Sequence, residues 1–303
     1  MAEKIIEKIE KLKRERNAVI LVHNYQNAEV QEIADYCGDS LGLSRKAAAT
    51  DADVIVFCGV HFMAETAKIL SSEKTVLLPD VHAGCPMADM INADQLRAMK
   101  GEHPGAVVVC YVNSSAEVKA ESDYCCTSAN ATAVINSIDD DKEIIFVPDK
   151  FLGNYTAEET GRELILWQGY CPTHACIAPQ EIKRLQQIHP HAKVMVHPEC
   201  PPSIRELADE ILSTSGMCEY ARNTDADEFI VGTEVGMLHR LERENPGKQF
   251  YPATKNAVCP NMKMTTLDNI LWSLQDMRHQ IEVPEEVAAK ARKAIERMVN
   301  TVS

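Results

Sequence analysis

Three of the eleven cysteines in this 303-residue chain share a local motif and a regular spacing. Each is followed by proline, at Cys85, Cys171 and Cys259, and the intervals between them are 86 and 88 residues. Thiolates bind zinc and iron–sulfur clusters, and three of them form an incomplete tetrahedral ligand set. With zinc, the fourth position would hold a water. With a [4Fe–4S] cluster, one iron would stay open as a Lewis acid for a substrate hydroxyl or carboxylate.

Other polar residues recur at nearly the same period. Three stretches that start at Ala18, Val107 and Lys193 align without gaps, and each is an apolar run, a polar turn and a helix-like segment. Residues that coincide in this alignment are His23, Tyr111 and His197, then Tyr25, Asn113 and Glu199, then Asp35, Asp123 and Asp209, and finally Ser40, Ser128 and Thr214. Each set steps by 88 and then 86 residues, which indicates an internal repeat.

Several of these side chains suggest acid–base chemistry. Glu199 beside His197 is a candidate general base, because burial can raise the pKa of a carboxyl group towards the working range. Tyr25 and Tyr111 offer phenol protons to oxygens that arrive or leave. Cys176, although close to Cys171 in the chain, aligns with methionines in the other repeats, so we interpret it as a packing residue.

The repeated hydroxyl residues each precede a helix-like segment, as an N-cap residue does; they are Ser40, Ser128 and Thr214. Helix N-termini also bind carboxylate and phosphate, so three of them around one cavity would attract an anionic substrate despite the net charge of −14. Sequence alone supports capping and ligand binding equally. The histidines without a repeat partner are interpreted as surface or core residues: His61, His82, His103, His174, His189, His191 and His239.

The elements that must position these residues alternate between strand and helix patterns, which is typical of βαβ units. The sequence therefore predicts an α/β fold of three similar αβα domains, each with a small parallel sheet, packed around a pseudo-threefold axis with the active site at its centre. The predicted domains are 1–85, 86–171 and 172–263, with helices of 264–303 packing back on the first. Ligands bind at the carboxyl ends of parallel strands, where the three repeats would meet.

Composition excludes several classes of function. The chain has 45 acidic against 31 basic residues, which argues against nucleic acid or an anionic membrane as the main partner. No apolar run reaches the roughly 18 residues of a membrane span, and residues 1–16 have an amphipathic pattern rather than that of a signal peptide. We therefore expect a cytoplasmic protein with reduced thiols.

The residues described above occur in motifs that resemble the quinolinate synthase family over nearly the whole chain. The motifs are HNYQ (23–26), GDS (38–40), FMAE (62–65), CPMA (85–88), YVNSSAE (111–117), TSAN (127–130), PD at 148, LGNY (152–155), GYCPTH (169–174), HPEC (197–200) and GTEVGM (232–237). The resemblance implies three αβα domains in a triangle around a [4Fe–4S] cluster, with Cys85, Cys171 and Cys259 as its ligands.

The resemblance also implies a reaction and a set of site residues. Iminoaspartate condenses with dihydroxyacetone phosphate to quinolinate, phosphate and two waters, for NAD biosynthesis, and an aspartate-oxidising enzyme supplies the imine. By motif position the substrate pocket is His23, Ser40, Tyr111, Asn113, Ser128, His197, Glu199 and Thr214, and the catalytic residues are Tyr25, Tyr111, His197 and Glu199. Some members carry extra cysteines near the third ligand, but KNAVCPNMKM has none, so no redox switch is expected there.

Three other functions stay open at this point. One is a diphthamide-biosynthesis type of enzyme, which resembles a three-cysteine cluster fold but acts on S-adenosylmethionine; the HNYQ, YVN and HPEC motifs favour the quinolinate alternative. The second is a three-cysteine zinc hydrolase. The third is a non-catalytic iron–sulfur sensor or electron carrier, in which the pocket residues would have no use and a basic surface would be expected.

Overall fold

Three sheets of the same topology organise the part of the chain that the computed structural model describes, residues 2–301. Each sheet has four strands, all parallel, in the orders β2-β1-β3-β4, β6-β5-β7-β8 and β10-β9-β11-β12. The strands are β1 (Ala18–His23), β2 (Tyr36–Gly38), β3 (Val54–Cys58), β4 (Thr75–Leu77), β5 (Val107–Tyr111), β6 (Tyr124–Cys126), β7 (Ile144–Val147), β8 (Ile165–Leu166), β9 (Lys193–Val196), β10 (Glu210–Ile211), β11 (Glu228–Gly232) and β12 (Gln249–Pro252). We call each sheet with its helices a unit.

Helices connect the strands and flank each sheet, so the predicted α/β fold of three similar αβα units is confirmed. They are α1 (Ala2–Glu15), α2 (Ala28–Glu32), α3 (Ser40–Ala49), α4 (His61–Leu70), α5 (Ala93–Glu102), α6 (Ala116–Ala120), α7 (Ala131–Asn136), α8 (Lys150–Thr160), α9 (Pro172–Ala175), α10 (Pro179–Ile188), α11 (Pro202–Arg205), α12 (Thr214–Asn223), α13 (Met237–Glu244), α14 (Leu267–Asp276) and α15 (Glu285–Asn300), with 3₁₀ turns at Ala88–Met90 and Asn261–Lys263. Over residues 2–301, none of these helices combines the length and the apolar character that crossing a bilayer requires.

Each repeated aspartate forms a hydrogen bond with the backbone of the first strand of its sheet. The carboxylate of Asp35 accepts the backbone N–H of Ile20 at 2.8 Å, and Asp123 and Asp209 accept the N–H of the equivalent residues of β5 and β9 at the same distance. Each aspartate therefore ties the edge strand to the first strand of its sheet. A charge-assisted bond of this kind fixes the edge strand's register, which the short strand alone would define weakly.

The units pack on a shared core. Its largest cluster of buried apolar side chains includes residues of all three sheets, such as Leu21, Val108 and Phe229. Helix α14 packs against α1 and β3, whereas α15 packs against α6 and β6 of the second unit as well as α4 of the first. The domain limits at 1–85, 86–171 and 172–263 stay a prediction.

Candidate active site

A single cavity is lined by every residue that was predicted as a metal ligand, a substrate-binding residue or a catalytic residue. Its predicted members are Cys85, Cys171, Cys259, His23, Tyr25, Ser40, Tyr111, Asn113, Ser128, His197, Glu199 and Thr214. The reason is topological, because His23 and Tyr111 end β1 and β5, and His197 follows β9. The first strand of each sheet thus delivers its carboxyl end to the same place, as expected for ligand sites of parallel sheets.

Each of the three cysteines starts a short helical turn. Cys171 is the N-cap of α9, and the 3₁₀ turns follow Cys85 and Cys259 closely. In all three loops the sulfur accepts a backbone N–H from the residue three positions on, which are Ala88, His174 and Met262. Backbone donors stabilise thiolate charge, so the local fold prepares all three sulfurs as ligands.

The three thiols line the same cavity, and each of them is partly buried. Burial raises the pKa of Cys85 to about 12 and that of Cys171 and Cys259 above the ordinary range, and the charge of Cys259 adds to the rise at Cys85. All three are free thiols. Partly buried thiolates that repel one another are stabilised by a cation between them. Three soft donors, with no further cysteine among the described lining residues, fit an iron–sulfur cluster with one open iron.

His23 and His197 adopt the same local arrangement in the first and third units. The Nδ1 of His23 accepts the N–H of Tyr25 at 3.2 Å, and the Nδ1 of His197 accepts the N–H of Glu199 at 3.3 Å. Burial lowers the pKa of both histidines to about 3, so both rings are neutral at physiological pH. A neutral ring that accepts at Nδ1 carries its proton on Nε2, which makes both histidines hydrogen-bond donors.

The N-cap prediction for the three hydroxyl residues was wrong by one or more positions. Ser40 and Thr214 are the first residues of α3 and α12, and the caps are Asp39 and Ser213. Ser128 precedes α7, whose N-cap is Asn130. Because the side chains of Asp39 and Ser213 cap α3 and α12, the hydroxyls of Ser40 and Thr214 are not needed as caps. These two residues and Ser128 line the cavity, beside the positive N-terminal ends of α3 and α12.

His174, which sequence analysis assigned to the surface or core, lies in the site. It is only 1 % exposed, and its Nδ1 is 2.7 Å from Oε2 of Glu199 and 3.2 Å from Sγ of Cys171. The donor atoms of Cys171, His174 and Glu199 all lie within 4.8 Å of one another, a spacing that one metal ion could also use. His174 has no repeat partner, so the sequence signalled it only by its three-residue distance from Cys171 and its place at the end of the GYCPTH motif.

A chain of hydrogen bonds connects the two tyrosines through His174. The hydroxyl of Thr233 lies 2.8 Å from Nε2 of His174 and 2.7 Å from Oη of Tyr25, and Tyr111 donates to Oε1 of Glu199. An ionised Glu199 only accepts, so His174 donates from Nδ1 and accepts at Nε2. The direction of the chain follows, because Thr233 must then donate to His174 and accept from Tyr25.

Glu199 has a lower pKa than the sequence led us to expect. Burial by itself raises the pKa of this carboxyl group, but the neighbouring imidazole rings of His174 and His197, and hydrogen bonds from His174 and Tyr111, lower it below its usual range. A carboxylate of low pKa is a weak base. Glu199 is therefore better suited to orienting His174 than to taking a proton itself.

The chain is similar to known proteins over nearly its whole length. Residues 7–300 match the family described as Quinolinate synthetase A protein. The chain belongs to this family. It is 58% identical over 300 residues to a quinolinate synthase of Dehalococcoides mccartyi strain CBDB1, a match that covers 99% of both chains. Over 291 residues it is 56% identical to one of Geobacter sp. strain M21, covering 96% of this chain and 95% of the relative.

The similarity extends to archaeal members of the family. A quinolinate synthase of Methanosarcina barkeri strain Fusaro is 53% identical over 295 residues, which is 97% of each chain. Since these matches run nearly from end to end, they include all three sheets and all three cysteine loops. The resemblance inferred from the motifs is thereby confirmed.

Proposed function

We propose that this chain is an iron–sulfur quinolinate synthase that condenses iminoaspartate with dihydroxyacetone phosphate in NAD biosynthesis. All seven carbons and the nitrogen of the two substrates are kept in the product, five carbons and the nitrogen in the ring and two carbons as its carboxylates, while one phosphate and two waters leave. The shared name of the relatives supports the product. An aspartate-oxidising enzyme supplies the imine, and the reaction takes place in the cytoplasm.

The observation that carries this proposal is the meeting of three cysteines, one from each unit, with the repeated polar residues in one cavity. An electron carrier or sensor has no need for such a polar lining. Within the described residues, the buried Oδ1 of Asn113 has no hydrogen-bond partner, so an acceptor is left for a ligand that donates.

Cys85, Cys171 and Cys259 would hold the cluster. When bound, it supplies an open iron that acts as a Lewis acid towards substrate oxygens. The Nε2–H groups of His23 and His197 and the N-terminal ends of α3 and α12 are suited to the carboxylates and phosphate of the substrates. In this proposal Ser40, Ser128 and Thr214 add hydroxyl donors, and Tyr111 and Asn113 complete the pocket.

Loss of two waters requires a proton for each departing hydroxyl, and formation of the ring requires removal of protons from carbon. We assign the first task to Tyr25, whose phenol can be reprotonated along Thr233 and His174. His174, oriented by Glu199, is the proposed base, and Tyr111 stabilises the negative Glu199.

The test is an anaerobic assay of the protein reconstituted with Fe²⁺ and sulfide. Iminoaspartate is generated in place by an aspartate oxidase, dihydroxyacetone phosphate is added, and quinolinate and phosphate are measured by chromatography. We expect equal amounts of the two products. An intact cluster without quinolinate would refute the proposal, and cleavage of S-adenosylmethionine in a parallel reaction with reductant would favour the diphthamide-type alternative.

A zinc-loaded sample separates the cluster from a simple metal site. Zinc offers a Lewis acid but no sulfide, so we expect no quinolinate from this sample. Quinolinate formation at a comparable rate with zinc would contradict the requirement for a cluster.

A further inference from the structure

An ion pair between a buried glutamate and a lysine whose side chain is 21% exposed lies just outside the cavity, at the junction of the first and third units. Glu234, which follows β11, is fully buried, and its Oε1 and Oε2 lie 2.9 and 3.1 Å from Nζ of Lys263. Neither residue lines the cavity. The buried carboxylate of Glu234 is costly to desolvate, which calls for a reason for its presence.

The carboxylate of Glu234 holds the loop of a proposed cluster ligand. Its Oε1 accepts the backbone N–H of Cys259 at 3.2 Å, and its Oε2 accepts that of Gly236 at 2.7 Å. Each carboxylate oxygen therefore accepts one hydrogen bond from a backbone N–H and one from the ammonium group of Lys263. Glutamine has the same shape, but its NH₂ group would face another N–H donor at either position.

The ammonium group of Lys263 holds a second element of the site. Its Nζ donates to the backbone carbonyl of Tyr25, which belongs to the first unit. A Cβ on Gly236 would lie 2.6 Å from this Nζ, 2.8 Å from Oε2 of Glu234 and 2.8 Å from the Tyr25 carbonyl oxygen. The three groups meet so closely that only glycine leaves room for them.

We infer that Glu234 and Lys263 are positioning residues that hold Tyr25 and Cys259 in one rigid frame. Glu234 fixes the Cys259 amide and Lys263, and Lys263 fixes the Tyr25 carbonyl in the neighbouring unit. The pair thereby sets the distance between a proton-donating phenol and the cluster-binding loop. This inference rests on the proposed function, since it assigns the pair a role in that reaction.

The test compares Lys263→Met and Glu234→Gln with the wild type after anaerobic reconstitution. Displacing a reacting group by about 1 Å can cost about 100-fold in rate, so we expect kcat of each variant to fall about 100-fold. The KM for dihydroxyacetone phosphate should change less than about threefold, because the pair does not touch substrate. Iron release to a chelator should accelerate only in Glu234→Gln, since Lys263→Met leaves the Cys259 amide bonded.

The double variant shows whether Glu234 and Lys263 affect kcat together or independently. If the pair acts as one unit, Glu234→Gln with Lys263→Met should be no slower than the slower single variant, whereas independent effects would multiply to about 10,000-fold. Gly236→Ala keeps both charges and forces them apart, so a well-folded sample should also lose kcat. Circular dichroism and iron content establish that each variant is folded and loaded.

Glu32→Gln is the matched control. Glu32 of α2 also joins the first and third units, through His239 at 2.7 Å and Arg243 at 3.6 Å, but its side chain is 52% exposed. We expect wild-type kcat for this variant. The inference fails if Lys263→Met keeps a kcat within threefold of wild type, if Glu32→Gln is equally impaired, or if the effects of the pair multiply. An inactive wild type would instead refute the proposed function.

Discussion

Thr233 offers the sharpest test of the hydrogen-bond chain, because its hydroxyl bonds both Tyr25 and His174 and can be removed without changing the charge of the site. The residue is 1% exposed, so Thr233→Val replaces the hydroxyl by a methyl group of similar size without opening the site to water. The substitution removes two hydrogen bonds, of 2.7 and 2.8 Å.

The distances determine the expected magnitude. Two buried hydrogen bonds contribute about 1 kcal/mol each to the free energy of unfolding. Tyr25 Oη and His174 Nε2 already lie 3.5 Å apart, so they can approach and form one direct bond in place of the two that are lost. The net loss should therefore be about 1 kcal/mol. This approach moves the phenol by several tenths of an ångström, which should lower kcat by about 10- to 100-fold.

The assay is quinolinate formation at saturating substrates, together with urea unfolding. Thr233→Ser keeps the hydroxyl and should stay within about threefold of wild-type kcat. Thr156→Val is a control for stability alone, because Thr156 is fully buried and its hydroxyl donates a hydrogen bond only to the carbonyl of Leu152, within α8. Wild-type kcat in Thr233→Val, or equal impairment in Thr233→Ser, would refute the proposed proton path.

Three further predictions concern the ligands, the buried histidines and the repeat. Cys171→Ser should lose iron, sulfide and activity after reconstitution, whereas Cys176→Ser should keep all three, since the Cys176 thiol is exposed and contacts only backbone carbonyls; equal losses would overturn the ligand assignment. The pKa of His23, lowered from 6.5 to about 3, makes the folded state bind fewer protons than the unfolded one, so its contribution to stability is full above pH 6.5 and is lost as pH falls towards 3. In the apoprotein, His23→Gln should reduce the loss of unfolding free energy between pH 7.5 and 5.5 by about 1.4 kcal/mol; an unchanged loss would contradict a neutral His23. Asp123→Ala should lower the unfolding free energy by about 2 kcal/mol, because it leaves the buried N–H of Val108 unpaired, and Asp123→Asn should cost less; equal costs would show that this bond is unimportant.

The part of the site that could be predicted from sequence consists of residues at equivalent positions of the repeat. Residues at equivalent positions of three units with the same topology occupy equivalent places, so the strand-end pairs and the cysteines had to lie on corresponding edges. The Asp35, Asp123 and Asp209 set recurs because each sheet needs the same bond at its edge strand. The pattern of apolar runs and helix signals was sufficient for the fold, since every sheet is built from local βαβ connections.

What the sequence did not predict are the contacts that break the repeat. Thr233 meets His174 and Tyr25 across separations of 59 and 208 residues, and Lys263 reaches Tyr25 across 238. None of these pairs has an equivalent in the other units, so no periodicity signals them. The contacts of Tyr25 depend on how the units pack, because Tyr25 lies in the first unit and Thr233 and Lys263 in the third, and they meet only when the shared core brings the sheet ends together.

The sequence by itself therefore determined the triplicated fold and the residues at the strand ends, and it selected the three cysteines whose role as ligands stays a prediction. Only the tertiary structure decided the roles within the site. It showed that His174 belongs to the site and that Glu199 is a carboxylate of low pKa. It also showed that Asp39 and Ser213, rather than Ser40 and Thr214, cap α3 and α12. The physical reason is that these properties depend on burial and on hydrogen-bond partners contributed by neighbouring units, and neither is encoded in local spacing.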